Sequence, residues 1–132
     1  MYPYALAARE GLRSELPRMP EYHARAVAIA AALRDLPGVA ASPDPPACNA
    51  FAVHLDGERD ALLAARDAVT ASHGLVVFEH LARTAHPRVC SFELAVGANT
   101  MELEVSEIRE ALAEIARALR SADRHFGDAE RR

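Results

Sequence analysis

Two stretches of the chain, AFAVHL at 50–55 and VCSFELAV at 89–96, alternate apolar residues with small or polar ones. A strand turns successive side chains to opposite faces, so each stretch reads as a strand buried on one side only. Phe51, Val53 and Leu55 share one side of the first; Phe92, Leu94 and Val96 share one side of the second. The opposite side carries Ala50, Ala52, His54, Ser91, Glu93 and Ala95. This pattern predicts an α+β fold, a small antiparallel or mixed sheet with helices packed on one face. The other face is small and polar, and is either solvated or docked against something else.

Helical periodicity surrounds these strands. Residues 2–15 read as a helix with no capping residue or polar lead-in before it, stopped by LPRMP. In EYHARAVAIAAALRDL, the residues Tyr22, Ala26, Ile29, Leu33 and Leu36 recur at alternating steps of four and three, which lines one helix face. Pro20 suits the first turn of that helix, and Pro37-Gly38 ends it. Residues 39–41 fit a short strand and SPDPPAC a loop. Residues 58–72 fit a helix with Leu62, Ala65 and Val69 inward. LVVFE at 75–79 reads as a strand, LARTAHPR as a loop, GANT as a turn, and MELEV as a short strand or extended approach. Ser106 is the expected cap of a last helix striped by Ile108, Leu112, Ile115 and Leu119. Beyond Arg120 the polar tail is expected to fray. The element order is ααββαββα, within one domain and without internal repeats.

The chemistry-bearing residues are sparse. The histidines are His23, His54, His73, His80, His86 and His125, and no two stand at a metal-binding spacing. His54 and Glu93 share the open sheet face, as a possible polar pair whose plainest role is structural. Cys48 and Cys90 have no CxxC partner and no activating neighbour in sequence; reduced thiols of a cytoplasmic protein are expected. Arg83 and Arg88 bracket the loop before the fourth strand, and a positioned Arg is a common grip for a carboxylate. A net charge of −4 argues against a nucleic-acid platform. The longest apolar run, near AVAIAAAL, is too short to span a bilayer. All 15 basic residues are Arg, so no side chain here can form a Schiff base with a carbonyl compound.

Three phrases in order, LPRMPEYHARAVAIAAALRDLPGV, PDPPACNAFAVHL and SFELAVGANTMELEVSEIREAL, resemble the C-terminal part of threonine aldolase and β-eliminating lyase-like enzymes. These are pyridoxal-phosphate enzymes of the aspartate-aminotransferase-type fold. The opening YPYALAAREGL is similar to the family helix that joins the large cofactor domain to the small one. The resemblance implies three parts: 1–16 as an interdomain-type helix, 17–120 as the small domain, and 121–132 as the tail. It also implies that the cofactor-binding lysine lies in a large domain outside this chain, leaving no catalytic or cofactor-binding residue here. By the same resemblance Asn49 and Arg88 are the candidate substrate-binding residues. Glu93 stands where true threonine aldolases carry a His, and Arg88 is displaced from the position of their carboxylate-binding Arg. The implied partner is a separate large domain or a second copy of the chain. A reading of another class is a stand-alone interaction module that dimerises through its open sheet face.

Overall fold

The computed structural model describes the backbone of residues 2–129 and the side chains of residues 3–122. Helix α1 (Tyr2–Ser14) leads through a single 3-10 turn at Leu16–Arg18 into α2 (Met19–Leu33). Strands β1 (Val39–Ser42) and β2 (Ala50–Asp56) precede α3 (Arg59–His73); the short β3 (Ala82–Arg83) precedes β4 (Val89–Ala95). A short α4 (Ala98–Met101) and the long α5 (Val105–Ala129) complete the described chain. The fold is α+β, and its strands form one antiparallel sheet in the order β1-β2-β4-β3. No helix among the described residues is long and apolar enough to cross a membrane.

The central pair β2–β4 follows the alternation. Phe51 stands opposite Leu94, Val53 opposite Phe92, and Leu55 opposite Cys90. All six side chains are buried, and Val96 continues the same face just past the strand. Helix α2 brings Tyr22, Ala26, Ile29 and Leu33 to this face, and α5 brings Ile108, Leu112, Ile115 and Leu119. Leu62 and Val69 of α3 complete the layer, with Ala65 half-buried. Removing such side chains from water stabilises the fold by about 1.5–3 kcal/mol each. Gly57 ends β2 at φ 146°, a backbone conformation that favours glycine, and a Cβ there would overlap the Leu119 side chain.

Arginines tie the two ends of the helical layer together. Arg25 donates to the Leu103 carbonyl at 3.0 Å, Arg109 to the Ala32 carbonyl at 3.1 Å, and Arg120 to the Pro37 carbonyl at 2.7 Å. Arg34 holds Asp44 through two bonds of 2.8 Å, which anchors the proline loop after β1 to α2. The buried Tyr22 donates its hydroxyl to Glu15 at 2.7 Å, so its phenol loses its proton less readily than usual.

Three expectations are corrected. LVVFE at 75–79 is no strand, and the edge strand is β3, inside the segment read as a loop. Extending the β3–β4 register backward from Ala82↔Ser91 would place His80 beside Glu93 and Phe78 beside Ala95. The chain instead leaves the edge, because α3 claims its carbonyls. Arg66 donates to the Phe78 and Glu79 carbonyls at 3.3 and 3.0 Å, and Arg59 to the Leu81 carbonyl at 3.0 Å. Phe78 turns into the core against Phe92, with ring centroids 4.8 Å apart. Second, the stretch read as a turn and extended approach contains α4. Thr100 bridges its start, accepting from the Gly97 N–H at 3.5 Å and donating to the Ala95 carbonyl at 3.3 Å. Third, Ser106 lies inside the first turn of α5 and does not cap it. The N–H of Glu104 donates to the Glu107 carboxylate at 2.7 Å, which is half of a capping box set two residues earlier. Helix α5 continues to Ala129 through much of the stretch read as a tail, and residues 130–132 lie outside the described chain.

Helix α1 is exposed along its length. Tyr4 is 84% exposed, Leu6 49% and Leu12 61%, as is Leu16 beyond it at 57%. The Tyr2 side chain, also expected to lack partners, lies outside the described side chains.

Candidate functional site

The substrate-binding candidates, Asn49 and Arg88, sit at opposite ends of the central strand pair. Asn49 donates its side-chain amide to the Val96 carbonyl at 2.9 Å and accepts the Val96 N–H on its own carbonyl at 2.8 Å. Its polar groups thus extend the β2–β4 ladder by one step. Arg88 immediately precedes β4, and its carbonyl accepts the Gly57 N–H at 2.8 Å. At ~3.3 Å per residue the two positions are roughly 25 Å apart. A single amino acid is far shorter than that, so the two residues do not grip one small substrate together within this chain.

Arg88 instead shares a corner with residues that sequence spacing does not associate with it. A cavity of about 660 Å³ is lined by Arg88, His86, Arg120, Asp56, Gly57 and Leu119, among others. His86 is held in place on its own loop, its Nδ1 accepting the Arg88 N–H at 3.3 Å. Arg120 arrives from α5 and is positioned by its bond to the Pro37 carbonyl. Two guanidiniums and an imidazole around one cavity suit a carboxylate or another small anion, with Asp56 opposing from one side. The HPR phrase in sequence hints at His86 beside Arg88; nothing in sequence points to Arg120, because α5 reaches this corner only through tertiary packing.

His54 and Glu93 both lie on the open sheet face, at diagonal positions. His54 faces Ser91 and Glu93 faces Ala52 across the ladder, and no hydrogen bond joins the two side chains. Elsewhere His23 bonds the Pro46 carbonyl at 2.8 Å and His73 the Glu114 carboxylate at 2.6 Å; His125 lies outside the described side chains. Cys48 is exposed and Cys90 buried, and both are free thiols. Among the described residues no group of His, Cys, Asp and Glu is placed to hold a metal ion.

No family model and no curated protein sequence matches the chain. Two solved structures do. One is provisionally assigned as an aromatic amino acid beta-eliminating lyase/threonine aldolase from Exiguobacterium sp. 255-15. It is 28% identical over 89% of this chain, with a TM-score of 0.76. The other, provisionally an L-allo-threonine aldolase from Listeria monocytogenes EGD-E, shares the fold at 24% identity over 90% of this chain, with a TM-score of 0.78. The chain spans 33% of the length of each. In its fold, and in sequence to the first of these, the chain resembles one third of a threonine aldolase/β-eliminating lyase structure.

Proposed function

We propose that the chain serves as the C-terminal small domain of a pyridoxal-phosphate-dependent amino-acid lyase or aldolase, as a split subunit or as one piece of a longer enzyme. The observation that carries this reading is the match of 89% of the chain to one third of the Exiguobacterium structure. The residues present do not fit the cofactor's covalent anchorage, since the chain has no lysine. The cofactor and its lysine then belong to another polypeptide segment, and this chain's contribution is to orient the amino-acid substrate. Arg88, with His86 and Arg120 beside it, is the group suited to the substrate carboxylate. The exposed α1 supports the same reading, because Tyr4, Leu6 and Leu12 point to different sides of the helix, as on a helix surrounded by further segments of a longer protein. Its partner would be the large domain.

The open sheet face, with Ala40 and Ala95 exposed and Ala52, His54 and Ser91 half-buried, favours one second reading. A stand-alone module would pair with a second copy through that face. One experiment separates the two. The chain is co-expressed with the polypeptide encoded beside it in its genome and purified through a tag on the chain. The expected result is a complex that absorbs as a bound pyridoxal phosphate, which borohydride fixes to a lysine of the partner, and that cleaves a β-hydroxy amino acid. Arg88→Ala should then raise KM at least about tenfold and leave the cofactor absorbance unchanged. A neighbour without such a lysine, together with a chain that sediments as a dimer, overturns the lyase reading in favour of the module.

A further inference from the structure

The far edge of β4 is only partly covered. Residues of β4 alternate in the direction of their backbone groups. Val96 and Arg88 bond toward the β2 side, which sets Phe92 and Leu94 toward β2 and Ser91, Glu93 and Ala95 toward the other edge. On that edge β3 pairs with Cys90 and Ser91 and then stops. The Ala95 carbonyl is taken by Thr100. The N–H and C=O of Glu93 and the N–H of Ala95 have no hydrogen-bond partner among the described residues. They face a groove of about 350 Å³, at the small end of ligand-site volumes of ~300–1,000 Å³. Its floor includes Leu94, Leu103 and Ile108, and its far wall is the segment that α3 holds away from the sheet. Val76 on that wall is 53% exposed, and among the described residues it is the one large apolar side chain so exposed after Leu16.

We propose that this edge, at Glu93–Ala95, receives an extended peptide strand that carries basic side chains beside an apolar one. Unpaired strand backbone is a template for an added strand, which gains main-chain hydrogen bonds from the edge and specificity from the groove. The apolar floor and Val76 take an alternate side chain of that strand. Charge selects the occupant. Glu79 and Glu93 both line the groove and both are exposed. A second copy pairing edge to edge would bring the same carboxylates together, and like charges directly opposite are destabilising. A basic strand places opposite charges there. The chain's own residues 78–80 are kept from the site by the arginine bonds to the Phe78, Glu79 and Leu81 carbonyls. This inference does not depend on the lyase reading.

The test is amide hydrogen exchange on the full chain, followed by NMR. The probe is a capped peptide of alternating valine and threonine with an arginine at each end. Exchange at Glu93 and Ala95 is expected to slow more than about tenfold at saturation, while Phe92 and Leu94, already bonded to β2, stay as they were. A counterpart ending in glutamates should bind at least about tenfold more weakly, and Glu93→Arg should narrow or reverse that preference. Ala95→Pro removes a donor from the outer edge only, so it should abolish binding with Phe92 and Leu94 still protected. The proposal is overturned by amides of Glu93 and Ala95 already protected in the free chain, by no protection from the arginine peptide, or by unchanged binding of a folded Ala95→Pro chain. Protection that grows with chain concentration and accompanies dimerisation overturns it in favour of a second copy.

Discussion

Helices α1 and α5 are written in nearly the same alphabet of Ala, Leu, Arg and Glu, yet one is bathed in solvent and the other closes the core. Composition accounts for what they share, since these residues are strong helix formers. Spacing accounts for the difference. In α5 the residues Ile108, Leu112, Ile115 and Leu119 step by four, three and four, and all are buried. In α1, at ~100° per residue, Tyr4 and Leu6 stand on nearly opposite sides of the helix and Leu12 on a third. No single neighbour can cover all three, and each is exposed. Propensity decides whether a segment coils; a one-sided stripe decides whether it docks on the body of its own chain.

The sharpest way to break this contrast is to truncate one apolar side chain on each side of it. Phe92→Ala, beneath the helices and against Phe78, should cost about 3–5 kcal/mol in urea unfolding. Leu12→Ala in α1 should stay within about 0.5 kcal/mol. Comparable losses at the two positions would mean that α1 belongs to the core. Deleting residues 1–14 should also cost far less than Phe92→Ala, leaving the unfolding free energy within about 1 kcal/mol, because the Glu15–Tyr22 bond is retained. A deletion that unfolds the chain would erase the contrast and remove the structural support for α1 as a docking helix.

The smallest effect is expected at the rim of the body. Arg34 beside Asp44 holds that carboxyl below its ordinary value. The folded chain therefore binds this proton less readily than the unfolded chain. The pair's contribution is full above the unfolded carboxyl value of ~4 and disappears as pH falls through the lower folded value. The Tm of the parent should exceed that of Asp44→Asn at neutral pH, and the gap should close on acidification below about pH 4. A gap that widens on acidification would show the sign to be reversed.

What could be read in the sequence was whatever a local period encodes. The stripes of α2 and α5 and the alternation of β2 and β4 each repeat within a few residues, and each placed its buried face correctly. What could not be read depended on partners distant in sequence. LVVFE has strand-forming residues, but its carbonyl groups answer to Arg66 and Arg59 on α3, which no local pattern announces. The start of α5 is not legible locally, because Ser106 is a favoured cap by type, while Glu107 reaches back to an earlier N–H. The cavity beside Arg88 is half legible: His86 stands two residues away in sequence, but Arg120 comes from the far helix. Asn49 is a candidate by resemblance alone, and the structure gives its amide to the Val96 carbonyl.

The arginine tie from α5 to the turn after α2 also sets an order in time. Arg120 follows Pro37, whose carbonyl it claims, by 83 residues. At ~5–20 residues per second, roughly 4–17 s of synthesis separate the two partners. For that interval Tyr22, Ile29 and Leu33 have been made but the helix that covers them has not. The growing chain therefore carries an adhesive surface on α2 until α5 is produced. Helix α1 has no such wait, because its final surroundings within this chain are water from the start.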